Sequence, residues 1–182
     1  MLSNTDIAIE SSNWIDTLMS CTGVDILAPK IISRLSGKNQ NPIYRSRPKP
    51  AKFLVLSYLF NNWLATAAYR FAALFKGWLT SARYFPVSAI NEGEIIYAAH
   101  GCFICLPQEY FKRGGALKCS SFLYLEEICL AEESIELGLA IRYTNKIKVH
   151  HEEHASTSFI PPNHIRKHLV KAHRIAYQVL SR

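Results

Sequence analysis

Five consecutive positions, His150, His151, Glu152, Glu153 and His154, carry side chains that ligate metals, move protons or build a polar turn. A helical zinc-protease signature needs His-Glu-x-x-His. His150 and His154 have that spacing, but position 151 is His, and the stretch from His151 to His154 is one residue too short. The segment KIKVHH before it alternates as a strand does, so the protease reading fails. A loop that meets a metal or a phosphate, and a plain polar turn, both remain.

Three other groups have chemical types at meaningful spacing. Asn4 and Asp6 place an amide and a carboxylate two residues apart. A hard divalent cation takes such oxygens, and a simple turn uses the same residues. Glu126 and Glu127 stand side by side where a helix is expected to begin. There the helix dipole favours the charged carboxylate, as a general base requires, and ordinary dipole compensation looks the same. Cys102 and Cys105 form a CxxC inside the apolar, strand-like GCFICLP. No second pair lies at zinc-ribbon spacing, so both are read as buried thiols.

The elements that must position these groups are legible in outline. NTDIAI ends in a short strand. SSNWIDTLMSC spaces its apolar residues as a helix, and VDILAPKII is a strand. Residues 33–50 hold Gly37, Asn41-Pro42, Pro48 and Pro50 and are read as a loop. EIIYAAH and GCFICLP are strands around a turn at His100-Gly101, PQEYFKRGG a short helix, and SFLYL a strand. EEICLAEESIELG is a helix, with Ile128, Ala131 and Ile135 facing inward and Glu132, Glu133 and Glu136 mostly outward, stopped by Gly138. LAIRYTN and KIKVHH are two short strands. PPNHIRKHLVKAHRIAYQVL is a basic terminal helix.

The chain has 182 residues and a formal charge of +7, which suits an anionic partner without choosing among phosphates, nucleic acid and lipid. No RNP-like or zinc-knuckle pattern is present, so no nucleic-acid partner is expected. Five cysteines without a secretory pattern are read as free thiols in a reducing, cytoplasmic setting. Residues 53–84 stand apart. Their first 17 residues are uncharged, yet Ser57, Asn61, Asn62 and Thr66 weaken a membrane span. Two readings stay open: a helical hairpin packed on its own domain, and amphipathic helices lying peripherally on an anionic membrane, with Trp63, Trp78, Tyr69 and Tyr84 at the boundary.

From about residue 95 to 157, GCFICLPQEYFKRGG, FLYLEEICLAEESIELG and HHEEHAST occur in an order that resembles the C-terminal half of family 2 glycosyltransferases, GT-A type enzymes of bacterial surface-polysaccharide synthesis. Asn4-Thr5-Asp6 is similar to that family's D-x-D metal motif, and Gln40-Asn41-Pro42 also resembles a stretch found in relatives. The resemblance implies an α/β fold. It would be the C-terminal part of a GT-A domain spanning 1–182, with a metal-motif strand, helix, strand and loop over 1–50, an amphipathic helical insertion over 51–85, an acceptor and catalytic-base part over 86–160 and a C-terminal helix over 161–182.

The same resemblance implies inverting sugar transfer from a nucleotide-sugar donor to a saccharide or lipid-linked acceptor. Asp6, Asn4 and His151 would hold Mg2+ or Mn2+, and Glu127, or its neighbour Glu126, would be the base. His100 and Gly101 would meet the acceptor, and Glu153, His154, Ser156 and Thr157 would shape a diphosphate loop. Because the chain begins on the metal motif, it is expected to be the second part of a complete enzyme, inactive alone, with an N-terminal half encoded upstream. A basic module that binds a membrane or nucleic acid without catalysis is the competing reading.

Overall fold

A computed structural model describes residues 1–10, 12–20, 23, 25–81, 90–119, 121, 124–152 and 162–182. In chain order the elements are strands β1 (Leu2–Ser3) and β2 (Ile7–Ile9), helix α1 (Trp14–Ser20), strand β3 (Ile26–Ser33), helices α2 (Pro50–Asn61) and α3 (Trp63–Ser81), strands β4 (Ile95–Ile96) and β5 (Phe103–Ile104), helices α4 (Gln108–Lys112) and α5 (Glu126–Glu136), strand β6 (Ile141–His151) and helix α6 (Asn163–Leu180). The mixed α/β content agrees with the expectation. The chain divides into two compact units. The first holds Met1–Pro48, Ile90–Cys119 and Glu126–His154, and the second holds Lys49–Ala89, Ser120–Leu125 and Ala155–Arg182.

The first unit is organised by β6. It runs parallel to β3 along its length, while β2 and β4 pair with it antiparallel at its two ends. The expected pair of short strands is therefore one continuous strand. Its polar centre, Asn145-Lys146, escapes the ladder because the register with β3 shifts between Pro29 and Lys30, where proline offers no N–H. Beyond that shift the strand alternates. Ile147 and Val149 are fully buried with Ile31, Cys102, Phe103 and Cys105, and Ile7, Ile9, Trp14 and Leu18 close over this cluster. Each such apolar side chain contributes about 1.5–3 kcal/mol by leaving water. His151 is next in the inward row after Val149 and so stands at the edge of the core.

Three other expectations change. Ser121, Tyr124 and Leu125 are not in a strand. Tyr124 and Leu125 have φ of 69° and 62°, a left-handed backbone that breaks a β ladder. In α5, Ser134 takes the inward position expected for Ile135: Ser134 is 1% exposed, with its hydroxyl satisfied by the Leu130 carbonyl, and Ile135 is 56% exposed. The strands expected on either side of His100-Gly101 shrink to two residues each. They pair with β6 and β1 rather than with each other.

The second unit is helical. Pro50 starts α2 in the position where its missing N–H costs nothing. Asn62 ends that helix and caps the next, its Oδ1 accepting from the amides of Leu64 and Ala65. Phe53, Ser57 and Phe60 of α2 are buried, as are Ala172, His173, Ala176 and Leu180 of α6. The rings of Phe60 and Phe53 stand 5.0 Å and 6.0 Å from that of His173. Among the described residues no helix is long and apolar enough to cross a membrane.

Candidate active site

The site forms where the C-terminal end of β6 meets the start of β2. Ile7 pairs with His151, which brings the preceding residue, Asp6, alongside the imidazole. Asp6 Oδ2 lies 3.4 Å from His151 Nε2, and the Asp6 carbonyl accepts the amide of Glu152. The other imidazole nitrogen, Nδ1, lies 2.9 Å from Gln40 Oε1. An acceptor oxygen there makes Nδ1 the nitrogen that carries hydrogen. With Nδ1 donating there, Nε2 faces the Asp6 carboxylate either as a lone pair, which a cation would bridge, or as an N–H that donates to it.

In the neutral tautomer a cation between the two side chains would satisfy both the Nε2 lone pair and the carboxylate. Two ligands at about 2.1 Å from one metal stand about 3.0–3.4 Å apart, and the Asp6–His151 separation falls there. Asp6 Oδ1 adds to this, since it is buried without a hydrogen-bond partner among the described residues. Among the described residues no group of three His, Cys, Asp or Glu forms a closed metal cluster. A two-ligand site suits Mg2+ or Mn2+, which keep waters and take substrate phosphates as further ligands. A carboxylate beside an imidazole is a donor pair that suits Mn2+ better than the oxygen-preferring Mg2+.

A short loop holds this arrangement. Asn39 Oδ1 accepts from the amides of Ile31 and Asn41, and its Nδ2 donates to Tyr143 Oη. Asn41 is 3% exposed; its Nδ2 donates to the Pro29 carbonyl and its Oδ1 accepts the His100 amide at 2.7 Å. Gln40, between them, is thereby aimed at His151. Sequence reasoning gave Gln40 and Asn41 no role, because an Asn-Gln-Asn-Pro run reads as an ordinary polar loop and its partners Pro29, His100 and His151 are set by the fold.

The turn at residues 100–102 links the Asp6–His151 side to the Glu127 side. The His100 ring stands edge-on to His151 at 5.4 Å, and His100 Nδ1 accepts the Cys102 amide. The Gly101 amide donates to Glu127 Oε1 at 3.3 Å. Gly101, Glu126, Glu127 and Asn4 line a cavity of about 250 Å³, with Leu2, Ile104 and Leu130 among its apolar walls. Burial pushes the buried Cys102 thiol up to about 12, and the charges of Asp6 and then Glu127 push the same way, so both carboxylates act on one sulfur.

Glu127 opens α5, and its carboxyl is raised above the ordinary glutamate range. Burial is the main cause and the Glu126 charge the second; the amides of Glu127 and Gly101 offset part of it. This corrects the expectation that the helix dipole would decide. Desolvation of a carboxylate folded under Gly101 outweighs a terminal dipole effect of about 0.3–1 kcal/mol. Glu126 is exposed, so of the two only Glu127 is held against the turn.

The expected site residues therefore separate into groups. Asp6, His151 and His100 meet on one side. Asn4, Gly101, Glu126 and Glu127 meet at the cavity, so Asn4 lies with the carboxylates. Glu153, His154, Ser156 and Thr157 lie outside the described residues. His150 does not join the site; it pairs with Glu10 on the opposite face of β6 at 3.3 Å. Cys102 and Cys105 are buried thiols, as expected. No family model, no curated protein and no solved structure matches this chain.

Proposed function

We propose that the first unit carries the cation and base sides of a glycosyl-transfer centre. One observation carries the reading: the Asp6–His151 pair and the desolvated Glu127 carboxylate flank a single three-residue turn, His100 to Cys102. Asp6 and His151 would hold Mg2+ or Mn2+, which neutralises charge gathering on a leaving diphosphate. Glu127 takes the proton of an acceptor hydroxyl. The freed oxygen bonds to the anomeric carbon as the bond from that carbon to the diphosphate breaks, and the electron pair leaves with the phosphate.

A raised carboxyl suits this role, because a base works best when its proton affinity approaches the operating pH. The cavity at Glu127 accommodates a sugar-sized acceptor group, below the roughly 300–1,000 Å³ usual for larger ligands. The donor's base and ribose need surface beyond it, so these residues alone should turn over a nucleotide-sugar slowly if at all. The acceptor is a saccharide or a lipid-linked saccharide.

Genetic complementation tests this with any partner present. Deleting the gene in the source cell should remove or shorten a surface glycan. The wild-type gene should restore it, and Asp6→Asn or Glu127→Gln at equal protein level should not. Restoration by both variants would reject the reading.

A further inference from the structure

All 14 Asp and Glu of the chain lie in the first unit, whereas ten of the 21 Lys and Arg lie in the second. The second unit therefore carries its positive charge with no Asp or Glu side chain of its own to offset it. On α6, Arg166, Lys167, Lys171 and Arg174 line one groove of about 360 Å³, closed at its end by Phe60 and Asn61 of α2. Lys167 and Lys171 are one turn apart, a like-charge spacing that weakens a helix unless an anion intervenes. The Nε of Arg166 is buried there without a hydrogen-bond partner among the described residues, so the groove holds a donor that an anion could satisfy.

The same unit exposes apolar side chains. Leu64 and Leu74 of α3 are 59% and 60% exposed, and Val55 and Tyr58 of α2 are 62% and 66% exposed. From 68 to 75 every residue of α3 except Arg70 is exposed, in the sequence AYRFAALF. A stretch of this composition exposed on both faces from 68 to 75 suits an apolar medium around it.

We propose that the second unit binds anionic lipid bilayers, with the α6 groove holding lipid phosphate and α3 entering the interface. Cations and an apolar helix in one acid-free unit match both layers of such a surface. Nucleic acid accounts for the cations but leaves Val55, Leu64 and Leu74 in water. The inference uses the second unit alone and stands whether or not the transfer reading does.

Flotation of the full chain with vesicles tests it. The chain should rise with phosphatidylcholine–phosphatidylglycerol vesicles at low salt and not with phosphatidylcholine alone. Inorganic phosphate should compete better than chloride at equal ionic strength. The quadruple variant Arg166→Gln, Lys167→Gln, Lys171→Gln, Arg174→Gln should bind more than about 100-fold more weakly, since each cation near a surface is worth about fivefold. Leu64→Gln with Leu74→Gln should also release the chain, while leaving its far-ultraviolet circular dichroism in place. Four results would overturn the proposal: equal binding to both vesicle types, no binding to either, a quadruple variant that binds like wild type, or RNA displacing the vesicles. Self-association that disappears in the leucine variant, with no vesicle binding, would assign α3 to a second copy instead and equally overturn it.

Discussion

The amide of Gly101 donates to Glu127 Oε1 at 3.3 Å, and a Cβ built on Gly101 would meet that same oxygen at 2.9 Å. The carboxylate occupies the space that any other residue at 101 would fill. Gly101→Ala should therefore fold but displace Glu127, lowering transfer by about 100-fold, the cost of moving a reacting group by about 1 Å. Surface-glycan output at equal protein level checks this, and a carbon-13 titration of the Glu127 carboxyl should show its proton affinity changed.

Glu127 should be a liability to stability. Its folded proton affinity is raised above the unfolded value by burial. A raised group stabilises the fold below the unfolded value and loses that contribution as pH rises through the folded one. At neutral pH the buried charge thus opposes folding. Glu127→Gln should raise thermal stability at pH 7 by about 0.5–2 kcal/mol, gain less at acid pH, and abolish glycan restoration. A Glu127→Gln protein less stable at pH 7 than wild type would contradict this.

Gln40 should act on cation affinity through His151. It faces the imidazole nitrogen turned away from Asp6, and partners of that kind typically matter by 10–100-fold. Gln40→Ala should weaken Mn2+ binding by about that factor. Gln40→Glu, which keeps an acceptor, should largely restore it. Titration with Mn2+ separates the two.

In the second unit, burial lowers the proton affinity of His173, the Leu169 carbonyl partly offsets this, and Lys52 adds to the lowering. Its neutral form is the folded one, so its contribution is present above the unfolded value of about 6.5 and lost as pH falls below it, by at most about 1.4 kcal/mol per pH unit. Hydrogen-exchange protection of α6 should fall from pH 7.5 to 5.5. His173→Phe, which keeps an aromatic ring between Phe53 and Phe60, should flatten that dependence.

The legible parts of the fold were those set by local pattern. The apolar spacing of α1, the proline starts of α2 and α6, and Gly138 with its φ of 66° at the end of α5 are written within a few residues of where they act. Asp6 and His151 were linked only through the resemblance, since by type alone each suits a polar turn; their contact comes from the register of β2 on β6. The illegible parts depended on partners far along the chain. β6 read as two strands because its polar centre is excused only by a register shift on β3. Gln40 gained its place from Asn39 and Asn41, which reach Tyr143 and His100. Glu127 read as a helix-end charge because sequence shows the dipole but not the desolvation under Gly101.

Mn2+ binding, followed by electron paramagnetic resonance on the purified chain, tests the central claim most directly. The account predicts a single saturable site, lost in Asp6→Asn, weakened in His151→Gln and unchanged in His150→Gln, whose imidazole pairs with Glu10 on the other face of β6. No saturable Mn2+ site, or one indifferent to Asp6→Asn, would contradict it.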